Sequence, residues 1–445
     1  MRENTPPRVN DIEDDDAEEI HFDQDAPPDD DELEMEEITM EELEARYGYL
    51  SEEDEDPEGA SFHPPERDDA ILTFMKHKKA VFGCSLHPNR PIAATGGEDD
   101  RAYVWDINTC ELLHEITEHK DTVTDVYFSY DGTYLATGDM AGELFVHKLQ
   151  ENETGAPITF RKVWEYSMGD MTWMCWHRGA NVLLAGSENG EVYVWRIPSG
   201  DCKILPGEGV RCGVGELTGD GKKLFVGYTN GVVKLWDLKS CTVVMEVDAQ
   251  NPMAQQSVIL SVACDKESPL YASGALDGAW FIKYANAYKY LIISVLFPGK
   301  IVFCTNNGPV GAVEADGSVE CIAFPPNNDL KIVASGTLQG QIAIWDYTKY
   351  GLRTLCDHTF MEGDESDKFQ GGITRLKWLS EHTLIAATMN GNVIGFDARS
   401  GARKFTLEGH MAEIYEICYN PHENILLTVS EDRRAKIFNI PQLGD

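Results

Sequence analysis

The sequence predicts an all-β protein, a β-propeller of eight blades over residues 70–445, behind a disordered acidic tail, residues 1–69. Three observations carry this reading. A twelve-residue phrase returns eight times, and its flanks alternate apolar and polar residues. Charge is also unevenly placed: residues 1–70 hold 29 of the 76 acids but only four of the 37 bases.

The first copy of the phrase runs from Thr95 to the anchor Trp105 and Asp106. Further copies run Thr137 to His147 and Ala185 to Trp195, and later ones end at Trp236, Lys283, Trp345, Phe396 and Phe438. Successive anchors are 42, 48, 41, 47, 62, 51 and 42 residues apart, near the ~40–45-residue period of a four-stranded blade unit. Ten residues before each anchor stands a small or β-branched residue: Thr95, Thr137, Ala185, Val226, Ser273, Ser335, Ala386, Thr428. Six residues before it stands a turn former in six copies: Asp99, Asn189, Asn230, Asp277, Asn390 and Asp432, with Ala141 and Gln339 departing. Asp and Asn hydrogen-bond their own backbone and accept tight turn geometry. Val192-Tyr193-Val194-Trp195-Arg196 and its counterparts alternate as half-buried strands do. A single unit cannot bury its own anchor, so the set should close into a ring.

His77, His119 and His410 each precede an anchor by 28 residues. They are expected to join buried hydrogen-bond networks with Ser/Thr, Asp and Trp partners rather than to hold a metal. Blade one has the whole set, His77, Thr95, Asp99 and Trp105. Blade eight has His410, Thr428 and Asp432 but Phe438 in place of the indole. Blade two has His119 but lacks both the Asp and the Trp. Ala70 to Phe74 precedes blade one without a unit of its own. It is expected to pair with Ala435 to Asn439 as the outer strand of blade eight, since an open edge would invite association.

The tail is too charged and too poor in apolar residues to collapse. Within it, Thr39 and Glu42 form a capping box, and Met40, Leu43 and Tyr47 share one face, which predicts a short helix over 39–49. An acidic chain of formal charge -39 repels phosphates and should seek a basic protein client, not nucleic acid directly. Inter-blade loops and the Asp-type turns share one face of such a ring. The carboxylates placed there are Glu98, Asp100, Asp121, Asp170, Glu188, Asp364, Glu365, Asp367, Glu413 and Glu431, with Arg101, Arg211, Arg433 and Arg434 as diluting cations.

Eleven cysteines without a C-x-x-C pair point to free thiols in a reducing compartment. The absence of an apolar segment after Met1 predicts a protein of the cytoplasm, with the nucleus a second compartment open to it; a monomer is expected. Tyr290 to Phe297, the longest apolar run, is too short to span a bilayer. Neither a phosphate-binding glycine loop nor a nucleophile elbow is present. No cofactor, metal or catalytic residue is expected, and the protein should not be an enzyme.

Gly96 to Trp105, Ala136 to Gly142, Thr172-Trp173-Met174-Cys175-Trp176-His177 and Pro198 to Lys203 resemble the angio-associated migratory cell protein family of WD-repeat (WD40) proteins. The resemblance implies a WD40 propeller. A yeast relative in that family is a chaperone for a basic large-subunit ribosomal protein, so the implied function is a dedicated ribosomal-protein chaperone in 60S ribosome assembly. Animal members are linked to cell migration and angiogenesis, which implies a cytoplasmic signalling scaffold as the alternative. A third reading, a ubiquitin-ligase substrate receptor, rests on the similarity of Phe396-Asp397-Ala398-Arg399 to the W-D-x-R ending of such adaptors.

Overall fold

The structure, a computed structural model, describes residue 65 and residues 67–150, 158–276, 299–356 and 371–441, together with short strand segments between 280 and 295. The expected tail helix over 39–49 lies outside the described residues.

Small and β-branched residues alternating with polar ones favour a pleated surface, and every regular element described is a strand. Eight four-stranded antiparallel sheets are formed. In blade one the strands are Val81–Leu86, Ile92–Gly97, Arg101–Asp106 and Leu112–Ile116. The first strands of successive blades pack side by side all the way round, blade eight against blade one. The ring is closed.

Burial follows radial position. Second strands such as Ile92–Gly97, Thr383–Thr388 and Ile425–Ser430 are buried at every residue, because neighbouring blades cover both faces. The outer strand Asp201–Leu205 is exposed at all but its last residue. The core therefore lies between sheets: Trp105, Val81 and Cys84 of blade one pack with Leu427, Val429 and Ile437 of blade eight. Each buried Leu, Val or Ile contributes about 1.5–3 kcal/mol, so every blade depends on its neighbours.

The closing strand is Leu72–Phe74, with Leu72 opposite Ile437, Thr73 opposite Lys436 and Phe74 opposite Ala435. Phe74 is 2% exposed and stacks on Trp105 of blade one, with ring centroids 4.8 Å apart. One short strand thus joins blade eight by its backbone and blade one by its side chain. The residues just before it reinforce the join. Asp68 accepts a 2.6 Å bond from the buried Lys436 ammonium, and Asp69 exchanges bonds of 2.8 and 2.9 Å with Glu408.

Blade five corrects the sequence-derived repeat. Its second strand, Tyr271–Ala275, pairs with Gly299–Thr305 and not with the run ending at Lys283. Tyr271 lies opposite Cys304, as Ala93 lies opposite Trp105, so the anchor is Cys304. An insertion separates two strands that other blades join by a tight turn. Inside it, residues 280–281 pair with 294–295 and 284–286 with 289–291. Burial selects the anchor position, not aromaticity: His147, Cys304 and Phe438 are as buried there as Trp105.

Candidate partner-binding rim

One backbone hydrogen bond recurs in all eight blades and builds the rim. The residue three places after the blade-one Thr95 position donates its N–H to the carbonyl just before the innermost strand. The pairs are Glu98 to Ala80, Met140 to Thr122, Glu188 to Asp170, Thr229 to Arg211, Leu276 to Val258, Leu338 to Ser318, Met389 to Gly372, and Glu431 to Glu413, at 2.9–3.0 Å in most blades and 3.1 Å in blade four. Each inter-blade loop is thereby pinned to the turn between second and third strands. Turn and loop residues line up as two concentric rings.

A third ring lies inside them. Every innermost strand carries a β-bulge at its second residue. The bulged residues are Phe82, Thr124, Thr172, Gly213, Leu260, Glu320, Thr374 and Tyr415. Bulges re-aim side chains and are frequent beside binding sites. Thr172 donates to the Cys212 carbonyl and Thr374 to the Ile414 carbonyl, each in the following blade, at 2.5 and 2.6 Å. Phe82 and Tyr415 stack with centroids 4.6 Å apart, across the closure. Neither the pinning bond nor the bulge has a sequence signature, and sequence reasoning missed both.

The histidine networks hold the turns that carry the outer ring. In blade one, His77 Nδ1 lies 3.0 Å from Asp99 and Nε2 lies 3.0 Å from the Thr95 hydroxyl. Burial alone would raise the Asp99 pKa, but the His77 hydrogen bond and charge and the Lys78 amide hold it below the usual carboxylate value. An ionised Asp99 accepts from His77 Nδ1. Trp105 does not complete the set: its buried indole N–H has no hydrogen-bond partner among the described residues. In blade six, by contrast, Trp345 donates to Ser335 at 2.8 Å.

Blade two is corrected in the other direction. His119 contacts Thr137 at 2.8 Å and Asp139 at 2.9 Å; Asp139, two residues from Thr137, does the work that Asp99 does from four residues away. Blade eight has His410 with Thr428 at 2.7 Å and Asp432 at 2.8 Å. Asp432 is likewise held below its ordinary value: burial opposes this, and His410 outweighs burial. Blade five replaces the histidine with Gln255, whose carbonyl accepts from Ser273 at 2.6 Å. These groups serve the fold, and no cluster of three or more metal-ligating side chains exists among the described residues.

Of the carboxylates singled out from sequence, Glu98, Glu188 and Glu431 stand on the turn ring, and Asp170 and Glu413 on the loop ring. Asp121 lies beside Thr122 in the same loop and caps its amide at 2.7 Å. Asp100 follows Asp99 with φ 57°, a left-handed position that Gly142, Gly190, Gly231, Gly340 and Gly391 fill elsewhere and that Asp tolerates better than most residues. Asp364, Glu365 and Asp367 lie outside the described residues. Of the diluting cations, Arg211 pairs with Glu188 at 3.3 Å, whereas Arg101 turns away to Glu115 at 3.6 Å and the Thr117 carbonyl. Lys79 approaches Glu98 at 3.4 Å. Glu413 has no such ion pair among the described residues. Burial and the nearby Glu431 raise its pKa, and burial, Glu431, Glu413 and Glu98 push the Tyr415 phenol up. Three carboxylates beside two stacked rings thus favour a guanidinium or ammonium group. Arg399, the basis of the adaptor-like ending, is turned back on Asp397 at 2.9 Å.

The WD domain, G-beta repeat family matches residues 69–106, 110–147, 308–346 and 401–439. Each match starts at or up to three residues before the outer strand of one blade and ends in the third strand of the next, so the sequence unit straddles the structural one. The human angio-associated migratory cell protein is 33% identical over 420 residues, covering 93% of this chain and 90% of that protein. Ribosome assembly protein SQT1 of Saccharomyces cerevisiae is 23% identical over 408 residues, covering 84% and 87% respectively. The crystal structure of Chaetomium thermophilum Sqt1 bound to the N-terminus of the ribosomal protein L10 matches with a TM-score of 0.70 at 21% identity, over 84% of this chain and 100% of that one. With the coverage of the human and canine relatives alike, this chain belongs to the angio-associated migratory cell protein family of WD-repeat proteins.

Proposed function

We propose that the chain is a non-catalytic binding protein, a dedicated chaperone that holds the cationic segment of a ribosomal protein on its acidic rim during 60S assembly. The observation that carries this is the placement of Glu98, Asp170, Glu188, Glu413 and Glu431 at equivalent pinned positions, all in blades eight, one and three. A rigid ring holding negative potential in one place needs no rearrangement to accept a basic segment and raises its encounter rate. The L10 N-terminus bound to the fungal Sqt1, and the name of the yeast relative, support a ribosomal client.

A salt-graded pull-down tests this. Tagged protein from nuclease-treated extract should retain a basic ribosomal protein at low salt and lose it progressively as salt rises, because exposed charge pairs are screened. Reversing Asp121, Asp170 and Glu413 to Lys should reduce capture while the melting temperature stays near that of the parent. Recovery of signalling proteins alone, with no ribosomal protein, would overturn the proposal. It would favour a scaffold in cell migration, the reading to which the name of the 33%-identical relatives points.

A further inference from the structure

The rim has a second arc of different chemistry. At the turn position held by Glu431 and Glu98 in blades eight and one, blades five, six and seven carry Leu276, Leu338 and Met389. The loop and bulge positions of blade five add Val258 and Leu260. Leu276 is 36% exposed and Leu338 42%. The turn itself does not require them: its geometry is secured by the backbone bond, and Glu, Thr and Met occupy the same position in other blades. A leucine there leaves apolar surface in water and adds little to the core. Leu276 and Leu338 stand at the same position in adjacent blades, on a rim whose opposite arc carries Glu431, Glu98 and Glu188 together with the exposed Met140 of blade two.

We infer that the rim reads a two-part segment, with cationic side chains on blades eight to three and apolar side chains of the same peptide on blades five to seven. The inference rests on the proposed function and deepens it: the client segment is amphipathic as well as basic. The two arcs are continuous, since blade seven adjoins blade eight and the neutral Thr229 of blade four bridges the other side. A merely polybasic chain satisfies one arc and leaves the other wet. An apolar peptide without cations gains nothing from Glu413 and Glu431.

The test uses the full chain and two fluorescent synthetic peptides of equal length and equal positive charge, one interspersing Arg with Leu and the other Arg with Ser. Fluorescence anisotropy should give the Arg–Leu peptide an affinity about tenfold higher, the effect of roughly one well-buried leucine equivalent. In a Leu276→Ser, Leu338→Ser double variant the two peptides should bind equally, and Glu413→Gln with Glu431→Gln should weaken both alike. Both leucines are exposed turn residues, so the double variant should melt near the parent temperature. Equal affinities for the two peptides on the native chain, or a preference that survives the leucine variant, would remove the apolar arc and leave the acidic reading standing. Failure of both peptides to bind at low salt would overturn both together.

Discussion

Blade one and blade five build the same four-stranded sheet by different means. In blade one a tight turn joins the second and third strands, and His77, Thr95 and Asp99 clamp it. In blade five that connection is interrupted by an insertion, and Gln255 bonds to Ser273 and to the Lys300 carbonyl instead. Both nevertheless make the same rim bond, Glu98 to Ala80 and Leu276 to Val258. The repeat signature is therefore one way of stabilising a connection. The blade itself is specified by burial between neighbours, which Cys304 satisfies as well as Trp105 does.

If neighbours specify blades, cutting the join between blades eight and one should do the most damage. Deleting residues 70–75 removes the outer strand of one blade and a core ring of the next; loss of cooperative thermal unfolding is expected, and a truncated chain that melts like the parent would refute the closure. Phe74→Ala should be milder, costing about 3–5 kcal/mol as a large-to-small core substitution, read from denaturant midpoints. The polar clamps come next. Asp139→Ala removes one of the two hydrogen-bond partners of the buried His119 and should cost about 1–3 kcal/mol, whereas Gln255→Ala, which leaves no imidazole buried beside a lost partner, should cost less. Equal losses in the two variants would mean that blade two and blade five rely on their clamps alike.

The smallest expected effect is on pH dependence. Asp99 and Asp432 are held below the usual Asp value, near 4 in model peptides. Folded carboxyls of depressed pKa stabilise fully above the unfolded value, and that stabilisation drains away as pH falls through the folded one. Acid melts of the parent should thus steepen below about pH 4, and an Asp99→Asn, Asp432→Asn variant, less stable at neutral pH, should lose less over that range. Affinity for a basic peptide should weaken earlier in an acid titration, since Glu413 is raised above the ordinary Glu value and loses its charge sooner.

Much of the fold is legible in the sequence because its signals are local. The eight-fold phrase, the strand alternation and the unassigned run at Ala70–Phe74 are all readable without knowing what touches what. Blade five is not, because its insertion falls between the turn and the anchor and so displaces the anchor from its usual spacing. Counted from the Thr95-equivalent position, His77, His119, Gln255 and His410 all stand 18 residues upstream, a spacing that the insertion does not disturb. Asp139 escapes notice for a related reason: a carboxylate two residues nearer reaches the same imidazole only through the path of the backbone in space. The acidic rim is half legible. Loop position places Glu98, Asp170, Glu188, Glu413 and Glu431 together, but it also places Arg101 beside them, whereas its side chain follows the outer strand.

The order of residues is enough to show that this chain repeats a strand–turn–strand unit, that its acids gather at the turns and in the tail, and that it carries no recognisable catalytic motif. These are properties of composition and short-range period, which the chain carries before it folds. Folding was needed to establish which residue anchors blade five, which carboxylates keep a cation, and that Leu276, Leu338 and Met389 share one rim with Glu98 and Glu431. The reason is geometric: closing a ring brings together residues hundreds of positions apart, and only the backbone bonds that pin each turn to the loop before it fix which side chains become neighbours.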